Sequence, residues 1–219
     1  MMLWFIGLLA VAATWLGAMP LYFGRIPGFS KAQTLTVKTV PTVSAALFAL
    51  AAFLQSGSAD RYALLIFIGL CVCAAADYLL GVKFIVGGAL FFTGHLFYLT
   101  ALGGLRAPDS WSALLFAVSV AGLWLFCRRY FHLFPSKLLY LGVLVYCCAL
   151  GALLGFSIPI PFAAFSRRTV LAAVGAALFV LSDMGTCHTI LCKASRRFDY
   201  TSLGIYYTAQ FLLGMSAFL

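Results

Sequence analysis

Residues 62–80 read YALLIFIGLCVCAAADYLL, a stretch in which Asp77 is the one charged side chain. As an α-helix, such a stretch extends over roughly 28 Å, close to the thickness of the hydrocarbon core of a bilayer. It therefore predicts a membrane span. A carboxyl group inside a span is costly unless it faces the protein interior and finds a partner, which makes Asp77 a candidate functional residue.

The same apolar pattern recurs along the chain. Charged residues make up 9% of the sequence, against about 25% in soluble proteins. Apolar runs of span length lie at residues 2–19, 34–55, 62–80, 84–103, 111–127, 138–156, 168–192 and 200–218. The prediction is an all-α polytopic membrane protein, a single bundle of eight transmembrane helices that forms one domain over residues 1–219. Because no cation precedes the first run, we expect it to be a retained helix rather than a signal peptide.

The basic residues lie mainly in the short breaks between these runs. The first, third, fifth and seventh breaks hold nine of them, and the other breaks hold four. Those nine are Arg25, Lys31, Lys83, Arg128, Arg129, Lys137, Lys193, Arg196 and Arg197. We call the surface formed by these breaks the basic side. The positive-inside rule predicts that it is cytoplasmic, with both termini outside, as in a cell inner membrane. The net charge of +9 then reflects topology and contact with membrane lipids, and no nucleic-acid partner is expected.

Strongly polar residues within the spans share one depth. Counting helical rise from the basic side places Lys38, Asp77, His95, Asp183, Tyr206, Tyr207 and Gln210 between that side and the bilayer centre. Residues three or four apart share a helix face. The predicted inward faces are Lys38, Pro41 and Thr42; Gly69, Cys73 and Asp77; Gly87, Phe91, His95 and Tyr98; Gly175, Phe179 and Asp183; Leu203, Tyr207, Gln210 and Gly214.

Five short segments on these faces carry a family resemblance. They are Lys38-Thr-Val-Pro41, Ala76-Asp77-Tyr-Leu-Leu80, Phe91-Phe-Thr-Gly-His95-Leu-Phe-Tyr98, Gly175-Ala-Ala-Leu-Phe179-Val-Leu-Ser182-Asp183 and Tyr206-Tyr207-Thr-Ala-Gln210. In this order they resemble the lysoplasmalogenase family of YhhN-like membrane proteins, from about residue 36 to the C-terminus. Two positions depart from the family pattern: Ala76 stands where Gly is usual, and His188 lies in an unusually polar stretch.

The resemblance implies a hydrolase that cleaves the vinyl-ether bond of a lysophospholipid substrate, a lysoplasmalogen, to a fatty aldehyde and a glycerophospho-alcohol. That chemistry needs a proton donor for the alkene carbon and an anion beside the resulting oxocarbenium ion. We predict that Asp77 and Asp183 form this carboxylate pair, with either one as the acid. His95 would relay protons or orient an Asp. No cofactor or metal is required.

The remaining polar residues are predicted to bind substrate. Tyr207 and Gln210 would hydrogen-bond the attacking water or the sn-2 hydroxyl, and Lys38 would either bind the phosphate or pair with Asp77. Tyr98 and Tyr206 complete the set of substrate-binding candidates. Water must reach the site, so a cavity open to the basic side is also expected.

Other interpretations remain open at this stage. Each Asp could instead form a structural hydrogen bond that locks the bundle, and Lys38 could extend to the interface. Asp77, His95 and Asp183 could hold a Zn²⁺ in a metal-dependent lipid hydrolase, or the two Asp could carry protons in a lipid or small-molecule transporter. The chain could act as a monomer or as a small homo-oligomer through Gly142, Gly151 and Gly155.

Overall fold

The computed structural model describes residues 2–24 and 28–218. Arg25, counted above among the cations of the first break, lies outside the described residues. The helices are, in chain order, α1 (Met2–Ala13), α2 (Met19–Gly24), α3 (Lys31–Gln55), α4 (Arg61–Leu80), α5 (Phe84–Leu105), α6 (Ser110–Arg129), α7 (Lys137–Ser157), α8 (Ile160–Ala163), α9 (Arg167–Cys192) and α10 (Arg196–Ser216). A π-helical turn, Thr14–Ala18, joins α1 to α2. No β-strand occurs in the described part of the chain.

The eight predicted runs are confirmed as helices. The first is α1 with α2, and the others are α3, α4, α5, α6, α7, α9 and α10; α8 is a short addition after α7. By length and apolarity, seven of the eight described runs meet the requirements of a membrane span, and α10 does not. The first half of α10 is polar, but Ser202, Tyr206, Tyr207 and Gln210 are buried against the other helices. The chain is therefore an all-α, integral multi-pass membrane protein.

Serine and aspartate side chains begin most of the helices. The side chains of Ser30, Asp60, Asp109, Ser136, Ser166 and Ser195 accept hydrogen bonds from backbone N–H groups at the starts of α3, α4, α6, α7, α9 and α10. Such caps satisfy donors that a helix leaves unpaired. Asp60 also pairs with Arg168 at 2.6 Å. These loop carboxylates thus have structural partners.

Close helix packing depends on glycine. A Cβ at Gly151 would lie 2.5 Å from Cγ2 of Val120, and one at Gly155 would lie 2.7 Å from the backbone nitrogen of Phe116. Both glycines therefore serve the contact between α6 and α7. A Cβ at Gly142 would meet nothing within 4 Å. Of the three glycines predicted to form a face between copies, two are used within the bundle.

Gly214→Ala is expected to destabilise the protein because α10 approaches α3 closely at this position. The new Cβ would lie 2.5 Å from the carbonyl oxygen of Ala45, and backbone atoms cannot move aside as a side chain can. We expect a loss of about 1–3 kcal/mol, typical of overpacking, measured as a lower unfolding temperature in detergent. Gly142→Ala is the control and should be neutral or slightly stabilising. An equal effect of both variants would contradict this packing.

The cysteines are not cross-linked. All seven are free: Cys71, Cys73, Cys127, Cys147, Cys148, Cys187 and Cys192. The sulfurs of Cys127 and Cys147 lie 3.6 Å apart, in a thiol contact between α6 and α7. Cys73, Cys127 and Cys147 are buried, whereas Cys71 and Cys192 are exposed.

Candidate functional site

Asp77 lies at the centre of a hydrogen-bonded cluster between α3, α4 and α10. The residue is 1% exposed. Its Oδ2 accepts hydrogen bonds from the Thr42 hydroxyl at 2.6 Å and from the Tyr206 hydroxyl at 2.8 Å. Helical spacing explains the arrangement, since the inward face of each helix carries these groups to the same level. Two donors to one oxygen stabilise the ionised carboxylate.

Lys38 supplies the countercharge. Its Nζ lies 3.7 Å from Oδ1 of Asp77 and donates to the backbone carbonyl of the same residue at 3.5 Å. The side chains are 12% and 2% exposed, respectively. Of the two roles predicted for Lys38, the structure has the one in which it pairs with Asp77. A buried carboxylate with such a partner avoids most of the cost of an isolated charge.

A chain of donors leads from α5 to Asp77. The Tyr98 hydroxyl donates to Oε1 of Gln210 at 2.9 Å. Nε2 of Gln210 donates to the Tyr206 hydroxyl at 2.8 Å, and Tyr206 donates to Asp77. Each donor points towards the carboxylate, and all of these side chains are buried. The chain therefore orients Tyr206, and both ends of the Gln210 amide are occupied.

Tyr207 lies beside this chain without joining it. Its hydroxyl donates to the backbone carbonyl of Lys38 at 2.6 Å. Pro41, in the next turn of α3, has no N–H and disturbs the helical hydrogen bonds there. The contact of Tyr207 thus anchors α3 where Lys38 must be held.

Asp183 belongs to a second cluster, formed by α5, α7 and α9. Its Oδ2 accepts a hydrogen bond from the Tyr146 hydroxyl at 2.5 Å. The imidazole of His95 stacks edge-on against Tyr146, with ring centroids 5.4 Å apart. Nδ1 of His95 donates to the carbonyl of Phe91 at 2.5 Å. A carbonyl can only accept, so Nε2 is the unprotonated nitrogen of the neutral ring.

Nε2 of His95 is buried and has no hydrogen-bond partner among the described residues. A buried acceptor without a partner is unusual and costs free energy. His95 was predicted to relay protons or to orient an Asp, and its ring hydrogen-bonds to neither carboxylate. It presents a free lone pair beside the second cluster instead.

Aromatic rings lie between the two clusters. Phe179 is in edge contact with His95, at 4.6 Å between ring centroids, and with Tyr206, at 5.4 Å. Phe91 contacts Phe179 and Tyr206 at 6.3 Å and 5.8 Å. In residues 2–24 and 28–218, no hydrogen bond links Asp77 to Asp183. The two carboxylates thus form separate clusters that share an aromatic wall.

The same residues do not gather as a metal site. In the described part of the chain, no group of three or more His, Cys, Asp and Glu side chains is arranged to hold a metal ion. Asp77 and His95 are also engaged with other partners. The arrangement that the metal-dependent alternative requires is therefore not formed by these side chains.

A cavity of about 790 Å³ opens on the basic side. Its lining includes Phe23, Lys31, Leu35 and Asp199, and does not include either Asp77 or Asp183. Leu35 is one helical turn from Lys38. An opening is present at the predicted surface. The cavity expected around the site is not formed there, because neither carboxylate lines this opening and Asp77 is 1% exposed.

Two members of these clusters were not predicted to have a role. Thr42 was placed on the inward face of its helix, but its short side chain gave no reason to expect a bond to Asp77. Tyr146 lies in the apolar segment Val145–Cys148 and resembles the many aromatic residues of membrane helices. Only the packing of α7 against α9 identifies it. His188, in turn, has an extra contact: Nδ1 lies 3.1 Å from the Tyr130 hydroxyl.

Lys38→Met is expected to destabilise the folded protein, because Asp77 would be left as a buried charge without a cation. Adding Asp77→Asn should recover much of the loss, since no unpaired charge remains. We expect about 1–3 kcal/mol for the single variant. A double-mutant cycle on unfolding in detergent measures this coupling. Strictly additive effects would contradict the ion pair.

One comparison with known protein families gives a match. A family model described as the YhhN family matches residues 33–217. No curated protein and no solved structure matches the chain.

Proposed function

The chain belongs to the YhhN family, and on that premise we propose that it is a lysoplasmalogenase. The reaction is hydrolysis of the vinyl-ether bond of a lysoplasmalogen to a fatty aldehyde and a glycerophospho-alcohol. The observation that carries this proposal is the Asp77 cluster, a carboxylate buried at span depth and held by Thr42, Tyr206 and Lys38. A purely structural polar contact does not need so many convergent groups.

Asp77 is the anion that stabilises the transition state. Protonation of the alkene carbon distal to oxygen creates an oxocarbenium ion, and a fixed negative charge beside it lowers the barrier. Lys38 and the two hydroxyl donors keep Asp77 ionised and in place before the reaction begins. The rings of Phe91 and Phe179 lie against Tyr206 and add cation–π stabilisation to the oxocarbenium ion.

Asp183 is the proton donor. Its hydrogen-bond partner among the described residues is the Tyr146 hydroxyl, and no cation forms an ion pair with it there. A carboxyl group within a membrane span that has no countercharge favours the neutral, protonated form. That form is the one that can deliver a proton to carbon.

His95 receives the attacking water. The lone pair on Nε2 has no partner among the described residues, so it can accept a hydrogen bond from a water molecule and then its proton. The oxygen of that water bonds to the oxocarbenium carbon as its proton passes to Nε2 of His95. Because the ring makes no hydrogen bond to Asp183, a second water molecule carries the proton from Nε2 to the Asp183 carboxylate. The hemiacetal then collapses to aldehyde and alcohol, and the protein is restored.

The topology follows from the loop charges. We propose that the basic side faces the cytoplasm of a cell inner membrane, with both termini on the opposite side. Substrate would then reach the clusters from the cytoplasmic leaflet, on the same side as the cavity.

The test is aldehyde release from lysoplasmenyl-phosphoethanolamine by the purified protein in detergent. The matched control substrate is the saturated alkyl-ether analogue, which has no alkene to protonate and should release nothing. In D₂O, with the aldehyde trapped as it forms, one deuterium should appear on the carbon next to the aldehyde group. Absence of aldehyde from a folded, monodisperse protein would contradict the proposal and favour transport.

A further inference from the structure

The cavity on the basic side has the charges of a headgroup-binding site. It lies between the end of α2 and the starts of α3 and α10, and its wall includes two cations, Lys31 and Arg196. The ion pairs of the described residues are Lys38–Asp77, Arg106–Asp109 and Arg168–Asp60, so neither cavity cation is paired there. The Arg196 guanidinium lies 6.0 Å above the ring of Phe23.

The wall also carries an unused hydroxyl and an acid. Thr189 lines the cavity, and its buried Oγ1 has no hydrogen-bond partner in the described part of the chain. Asp199 lies in the same wall. The cavity therefore combines two positive groups with one negative group, and aromatic side chains such as Phe23 and Phe29 complete it. This is the pattern that a zwitterion with a phosphate and an ammonium group would require.

The walls of the cavity lead to the Asp77 cluster. Lys31 and Lys38 are seven residues apart on α3, and Asp199 and Tyr206 are seven apart on α10. Each interval corresponds to about 10 Å of helical rise. The same two helices, α3 and α10, therefore carry both the cavity wall and the Asp77 cluster. A glycerol backbone reaching down from the cavity would bring an sn-1 vinyl ether towards Asp77.

We propose that this cavity binds the zwitterionic headgroup of a lysophospholipid, with Lys31 and Arg196 on the phosphate and Asp199 facing the ammonium group. The inference rests on the proposed function for the identity of the lipid. It assigns the phosphate to cations other than Lys38, which is engaged with Asp77. It also assigns headgroup preference to Asp199 rather than to the buried clusters.

The first test measures binding rather than turnover. The probe is the saturated alkyl-ether lysophosphoethanolamine, which cannot be hydrolysed and is titrated against protein in detergent. Lys31→Gln combined with Arg196→Gln should weaken binding about tenfold or more. The control combines Lys137→Gln with Arg197→Gln. Lys137 begins α7 as Lys31 begins α3, Arg197 neighbours Arg196 outside the cavity lining, and the change in net charge is the same. Equal weakening in both double variants, or none in the first, would overturn the site.

The second test addresses the ammonium group and the source of the phosphate. Asp199→Asn should remove most of the preference for the phosphoethanolamine lipid over the same lipid with a bare phosphate headgroup. An unchanged preference would overturn the role of Asp199. Inorganic phosphate should not displace the lipid at comparable concentration, and if it did, the cavity would be a site for free phosphate. Because binding needs no catalysis, a protein that binds as expected but releases no aldehyde would leave this site standing and remove the proposed reaction.

Discussion

Asp77→Asn is expected to lower the rate of aldehyde release by about a thousandfold, the largest effect of any single substitution in the protein. Asparagine preserves the size of the side chain and can still accept hydrogen bonds from Thr42 and Tyr206. It cannot carry the negative charge that stabilises the oxocarbenium ion. Lys38 would then lie unpaired beside the developing cation and would raise its energy further. The measurement is aldehyde release from lysoplasmenyl-phosphoethanolamine under single-turnover conditions, which reports on the chemical step.

Cys71→Ala is the matched control. Cys71 lies on the same helix, α4, and is exposed on the outer surface of the bundle, so its replacement should leave the rate unchanged. Binding of the saturated ether analogue should also persist in the Asp77→Asn variant, because Asp77 does not line the headgroup cavity. A folded Asp77→Asn protein with more than a tenth of the parent rate would contradict the role of Asp77 as the stabilising anion.

The helices and their inward faces could be predicted because bilayer thickness and helical periodicity act on each segment separately. The stripe of Phe91, His95 and Tyr98 needs only the spacing of residues on one helix, and all three are buried. Membrane spans leave little choice of secondary structure. The polar start of α10 keeps this helix below the apolarity of a membrane span, although its predicted inward residues Tyr207, Gln210 and Gly214 are buried.

Apart from the pairing of Lys38 with Asp77, which was one of two predicted roles, the partners of these side chains could not be predicted, because they depend on how helices distant in sequence pack together. Nothing in the local sequence distinguishes Asp77, which meets a lysine and two hydroxyl groups, from Asp183, which meets Tyr146. The prediction was a single pair of carboxylates. The structure has two clusters instead, because Phe91 on α5 and Phe179 on α9 lie between them. Ring packing of this kind has no signature in spacing or hydropathy.

Asp183→Asn is expected to lower the rate of aldehyde release about a hundredfold or more, by removing the proton donor. An amide cannot deliver a carboxylic proton to carbon, although it keeps the shape of the side chain and can still accept from Tyr146. Tyr146→Phe should have a smaller effect, about tenfold, because it removes one hydrogen bond to Asp183 and leaves the proton in place. The two variants therefore separate the loss of the acid from the loss of its orientation.

Tyr140→Phe provides the control for the tyrosine substitution. Tyr140 lies on the same helix as Tyr146, but its ring packs on Phe131 and Phe134, in contact with the loop before α7. Its hydroxyl makes no contact with Asp183, so its removal should leave the rate unchanged.

If Asp183→Asn kept the parent rate while Asp77→Asn lost it, the proton would have to come from elsewhere, and Asp183 would be a structural partner of Tyr146. A larger loss in Tyr146→Phe than in Asp183→Asn would instead make the tyrosine hydroxyl the donor, because only a group that loses its own proton in the substitution can show the greater effect.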